Sequence, residues 1–304
     1  MSGTRTRMAS VALLLGCTVV LGCGDGTKKA SGPSLDAQYR KVMAEPDLAA
    51  RASRLLAVAD KQNKAGDLLG MEQSLNSAAD AAKNLEDAKA KALTLNRVAE
   101  AFGRAGSVAE SKNLLREVSK AADRIGEAEI KITVLTRMAY TYGKYLNSPD
   151  IATSYLKNCE EIAAGIPRPE GRIDALLEVA VTYHQLALAD QAEKLFAQSL
   201  EAARALEDGR KRADTVANAA AALNKMNQAD EAQTTFQEAE KLAGEIPDAM
   251  SRAYALIHLS DRLKASGRRA DAQKTLKLAE AAADKVTDAS MRMPLLETID
   301  RSRR

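Results

Sequence analysis

Few side chains here have the types needed for covalent or metal chemistry: three cysteines and two histidines. Cys17 and Cys23 stand near the amino end, and Cys159 lies inside the helical run Leu156-Lys157-Asn158-Cys159. There a small buried hydrophobe is the expected role, not a reactive thiol. His184 and His258 each sit in a helical pattern without a His, Cys or carboxylate at metal-ligand spacing, so both read as ordinary helix residues. No G-x-S-x-G, phosphate loop, H-E-x-x-H or dinucleotide fingerprint occurs. The expectation is a protein that is not an enzyme and uses no cofactor or metal.

The amino end itself has three parts. Arg5 and Arg7 are followed by an uncharged apolar stretch, Met8 to Gly22, which ends at Cys23. As a helix that stretch would cover roughly 22 Å, short of a bilayer's apolar core, so a cleaved signal is expected over a permanent span. Val20-Leu21-Gly22-Cys23 resembles a bacterial lipoprotein box, in which a cysteine becomes acylated and then forms the mature amino terminus. Leu14-Leu15-Gly16-Cys17 is a second candidate, but cutting there would leave Val19, Val20 and Leu21 on the mature chain, so Cys23 is preferred. The resemblance implies residues 1–22 as signal peptide and Cys23 as the lipidation site. It also implies a chain held in the bacterial cell envelope, at the outer membrane because Gly24 and not Asp follows the cysteine. Residues 24–34 are polar and turn-forming, which suits a tether, and the tether is drawn over 23–46.

Beyond the leader the chain is built to be helical. Hydrophobic residues make up 46% and charged residues 28%, while aromatics are only 3%, which points to a packed, Ala- and Leu-rich α protein. The net charge of +3 comes from 44 basic and 41 acidic residues, interleaved along the chain, and implies no nucleic-acid partner.

A repeat organises everything from residue 47 to 304. A basic residue opens a helical pattern at Arg51, Lys91, Lys131, Arg172, Arg212, Arg252 and Arg292, at steps of 40, 40, 41, 40, 40 and 40. Further on, Leu75, Leu115, Leu156, Phe196, Phe236 and Leu276 keep the same step, as does an unvarying Ala82, Ala122, Ala163, Ala203, Ala243 and Ala283. Surface positions have no reason to hold type and size in register, so these columns are core. Within a unit the spacing is helical, with breakers such as Gly66, Gly106, Gly267 or Asn227 between two stripes, so each unit is an antiparallel helix pair. Neither stripe can be buried by one pair alone, and successive pairs must stack into an α-solenoid. An acid stands four residues before most of the basic residues, as in Asp87 and Lys91, fit to start the next helix while the base sits near the end of the last. Arg168 breaks that rule, and the extra residue near Asn147-Ser148-Pro149-Asp150 is expected to lengthen one turn. Arg292 to Arg304 forms a half unit whose Leu295, Leu296 and Ile299 would cap the last hairpin.

Leu176-x2-Val179-Ala180-x2-Tyr183 followed by Ala192-x3-Phe196 resembles the tetratricopeptide repeat, with Leu for the family's Trp, Ala for its Gly, and a longer period. The resemblance implies a right-handed α-solenoid of six hairpins plus a capping helix, serving as a protein–protein interaction scaffold or assembly factor. It also implies a peptide-binding groove on the first helices, which by register takes in Asn63, Lys64, Arg104, Lys144, His184, Gln185, Asn224, Lys225 and Lys264, with Tyr140 and Tyr254 adding apolar area. That mainly basic and amide ladder suits an acidic or carboxyl-terminal peptide of an unidentified protein partner. Two alternatives stay open: that this face is merely solvated, and that the chain is a self-associating envelope lipoprotein with no groove function.

Overall fold

The computed structural model describes residues 33–304; the leader, Cys17 and Cys23 lie outside the described residues. Among the described residues there are fourteen α-helices and no strand. After α1 (Leu35–Met43) come six hairpins: α2 (Leu48–Lys64) with α3 (Leu68–Lys83), α4 (Ala88–Arg104) with α5 (Val108–Ala122), and α6 (Ala128–Tyr145) with α7 (Pro149–Ala164). Then follow α8 (Pro169–Gln185) with α9 (Ala189–Arg204), α10 (Gly209–Lys225) with α11 (Ala229–Gly244), α12 (Ala249–Ala265) with α13 (Arg269–Ala283), and a last helix, α14 (Ala289–Arg303). Each first helix packs on its own partner, on the next first helix and on the second helix before it. That nearest-neighbour pattern makes the body from α1 to α14 an α-solenoid.

The repeat columns are its interior. The unvarying alanines, Ala82 through Ala283, and the bulky column from Leu75 to Leu276 are all buried. A methyl at the alanine column lets helix backbones approach where a longer side chain would overfill the gap. Two buried clusters share Leu242 at their margin, one spanning α2 to α13 and the other α10 to α14, so the apolar interior is continuous.

Local chemistry sets where helices start and turn. Asp47, Asp87, Asp208, Asp248 and Asp288 each cap a helix by accepting a backbone N–H of its first turn. Glu127, one methylene longer, makes no such bond, and neither does Arg168. The basic column returns to the preceding helix end: Arg212 Nη1 donates to the Leu206 carbonyl at 3.0 Å and Arg252 Nε to that of Ile246 at 2.8 Å. Arg172 Nε, at the junction lacking the acid, and Arg212 Nε, at one that has it, are both buried without a partner. Each hairpin turn uses one residue in the left-handed region: Gly66, Gly106, Asn147 (φ 48), Ala187 (φ 59), Asn227 (φ 60) and Gly267. Five turns close with an N–H to the carbonyl five residues back, as from Leu188 to Tyr183; in the third, Ser148 reaches back six, to Tyr142, which absorbs the extra residue of the 41-residue step.

The ends are closed. Leu295 and Ile299 of α14 are buried against α12 and α13, the capping role expected for the half unit. At the other end the drawn tether needs correction, because residues 35–43 are helix α1. Tyr39 and Val42 pack on the core, and the Tyr39 hydroxyl lies 2.9 Å from Ser77 Oγ. Leu35, Tyr39 and Val42 are spaced as one helical face, too short a run to stand out in the sequence.

Candidate functional site

The first helices α2 to α12 lie side by side, and the face they turn away from their partners carries two cavities. The larger, 590 Å³, runs over α6, α8 and α10, with Glu100 of α4 and Arg262 of α12 at its ends. The smaller, 440 Å³, lies between α2 and α4 over Met71 and Leu75 of α3.

A chain of polar contacts crosses the larger one from helix to helix. Thr133 and Thr136 of α6 donate to the two oxygens of Glu178 on α8 at 3.0 and 3.1 Å. From α10, Asn218 Nδ2 donates to Asp174 Oδ1 on α8 at 2.9 Å, and its Oδ1 lies 3.0 Å from His258 Nε2 on α12. With the Asn218 amino group committed to Asp174, its oxygen requires the hydrogen on His258 Nε2. The Arg262 guanidinium, 3.4 Å from that nitrogen, is then a charge neighbour more than a bonding partner. Burial, followed by Arg262 and Arg210, pushes His258 down to about 4, so the ring is neutral at pH 7. Burial raises Asp174 and Asp214 to about 6. Asp174 is exposed as a residue, whereas Asp214 Oδ1 is buried without a partner and Arg210 stands 3.6 Å from its Oδ2. Arg210 also lies over the Tyr254 ring at 4.9 Å, which spends that tyrosine's face inside the fold.

The register-derived residues divide. Tyr140, Gln185 and Lys225 line the larger cavity, and Asn63 and Arg104 the smaller. Lys64, Lys144, His184, Asn224, Tyr254 and Lys264 line neither. Lys64 pairs with Asp60 at 2.7 Å, and Lys264 Nζ donates to the Ser302 carbonyl of α14. The cavities contain residues that the sequence reading did not single out: Glu100, Arg137, Asp174, Glu178, Asn218 and Arg262. The face is therefore not a plain basic ladder. Its carboxylates at Asp174 and Glu178 are already bonded to neighbours, whereas Arg137 and Lys225 make no ion pair among the described residues. Those bonds come from neutral donors and leave both carboxylate charges in place, and Glu100 likewise makes no ion pair among the described residues, so the lining sets three acids beside the three bases Arg137, Lys225 and Arg262.

Other chemistry is absent from what is described. No group of three His, Cys, Asp or Glu side chains could hold a metal ion among the described residues. Cys159 is buried and its thiol is pushed up to about 12, which keeps it protonated and unreactive. No helix of the described residues is long and apolar enough to cross a membrane.

The helix packing and the groove define a solenoid of helical hairpins with an open first-helix face. No family model and no curated protein matches the sequence. Among solved structures the chain is similar to Ton1535 from Thermococcus onnurineus NA1, at 13% identity over 86% of this chain and 94% of that one, with a TM-score of 0.44. It is also similar to a kinesin light chain of nearly identical TPR-like repeats from Podosopora anserina, at 20% identity over 66% and 98%, TM-score 0.34. A third is a Rap protein complexed with competence and sporulation factor, at 16% over 87% and 78%, TM-score 0.35. The solenoid rests on its own helix packing.

Proposed function

We propose that this protein is a protein–protein interaction scaffold or assembly factor of the bacterial cell envelope, tethered through acylated Cys23, that holds an extended segment of a partner along its first-helix groove. The observation that carries the reading is the 590 Å³ cavity lined in succession by α4 to α12, a volume in the range of ligand sites. Its uncommitted cations, Arg137 and Lys225, suit carboxylates of an acidic or carboxyl-terminal segment, and Gln185 offers an amide to that segment's backbone. An open groove built on rigid helices suits an extended segment, and Cys159, buried and protonated, offers no nucleophile beside it.

Cross-linked pull-down from intact membranes tests the groove: a specific partner is recovered with the unaltered chain and lost with Arg137→Glu combined with Lys225→Glu. Unchanged recovery removes the groove from the account. The anchor is tested apart from it, because Cys23→Ser should move the chain from the membrane to the soluble fraction, at the outer membrane first of all. A second reading, self-association, is favoured by exposed apolar residues near both ends of the array, Leu68 and Leu69 on α3 and Met291 and Met293 on α14. Light scattering that returns a monomer at micromolar concentration removes it.

A further inference from the structure

On the opposite side of the array, a groove between α9 and α11 differs from its neighbours in what fills it. Its volume is 510 Å³, its floor is Phe196, Leu200, Leu223 and Met226, and its rim carries Glu193, Asp230 and Glu231. The repeat supplies a comparison inside one molecule. One hairpin later, forty residues on, Phe236 holds the place of Phe196 and Arg268 that of Gln228. There the Arg268 guanidinium lies over the Phe236 ring at 5.8 Å and Nη2 donates to the Ala229 carbonyl at 3.0 Å. One hairpin earlier, Leu188 stands at the same register and packs on the core, and Tyr183 stands where the groove has Leu223. At the α9/α11 position that register holds Gln228, which carries no guanidinium to lie over the ring and whose Oε1 is buried without a hydrogen-bond partner. The three rim carboxylates make no ion pair among the described residues, so a negative field surrounds an aromatic floor and an orphaned acceptor.

We infer that this groove binds an arginine side chain of a partner protein, in the pose that the chain's own Arg268 adopts one hairpin later. The guanidinium would stack on Phe196, donate to Gln228 Oε1 and meet the rim carboxylates; its planar fork of donors suits that combination, which an ammonium does not match. This site lies apart from the first-helix groove and stands or falls independently of it.

The test is a titration of the isotope-labelled full chain with acetyl-Gly-Arg-Gly-amide and with its citrulline counterpart, which keeps shape and loses charge. The amides of Gln228, Thr234 and Thr235 should shift saturably with the arginine peptide, and roughly tenfold more weakly with citrulline. Gln228→Arg should supply the guanidinium from within and abolish the response, its helicity checked by circular dichroism. Should that variant fold poorly, Glu193→Gln with Glu231→Gln serves instead and should erase the preference for arginine over citrulline. Equal response to both peptides, no saturable shift at these amides, or an undiminished response in a folded Gln228→Arg chain would overturn the inference.

Discussion

Each hairpin turn asks one residue for a left-handed backbone, and five of the six use glycine or asparagine while one uses Ala187 at φ 59. Alanine's Cβ crowds the following carbonyl there, a cost of roughly 1–2 kcal/mol, against which glycine loses some of its greater freedom in the unfolded chain. Ala187→Gly is expected to stabilise the protein by about 0.5–1 kcal/mol in chemical denaturation, and a loss of stability would show that the turn is not so strained. His258 sets a different prediction. Its folded value lies at about 4 against 6.5 when free, so below 6.5 the unfolded chain takes up a proton that the folded one refuses. The stability tied to the neutral ring is thus full above 6.5 and drains away as pH falls towards 4, while Asp174 and Asp214, raised to about 6, work in the opposite sense. Denaturation of His258→Gln beside the parent chain isolates the ring: the parent should lose on the order of 2 kcal/mol relative to the variant across that window. Parallel pH curves would mean that the ring is not held neutral.

At the scale of the helices, the junction device is the part most open to test. Asp248 accepts the Ser251 N–H at 2.7 Å, and Asp248→Ala should cost about 1 kcal/mol in thermal or chemical unfolding. A value near zero would move the stabilisation from the cap to packing alone. This device, the hairpins and the core columns are all legible in the sequence, because a 40-residue step repeated across the chain shows which positions cannot vary. Asp248 and Arg252, for example, announce their roles by spacing. The groove was harder to read. Which face of α8 or α10 looks outward depends on how each first helix is rotated against two neighbours, and the resemblance placed the ladder towards the helix ends, at Lys64, Lys144, His184, Asn224 and Lys264. The observed floor lies about two to three turns earlier, at Asp174, Glu178 and Asn218. A signal for it existed: Asp174 with Glu178, Asp214 with Asn218, and Tyr254 with His258 occupy one register of three successive units, each pair four residues apart. Alone, each pair looks like an ordinary solvated helix face. The α1 segment was lost for another reason, since nine residues give too few turns for a period to show.

For the whole molecule, the governing claim is that stability belongs to the stack. The first-helix face exists only because α2 to α12 are held side by side by a common apolar interior, and that interior is buried between hairpins as well as within them. Ala99 and Ala139, both fully buried, belong to different hairpins of one cluster, which no lone hairpin could seal from water. The most direct measurement is far-UV circular dichroism through thermal unfolding, made on the single hairpin 88–125 and on the array 35–304. The single hairpin should be mostly unfolded at room temperature, as isolated pairs of short helices are, and the array should be strongly helical with a cooperative transition. A lone hairpin that is fully helical and melts cooperatively would contradict the account.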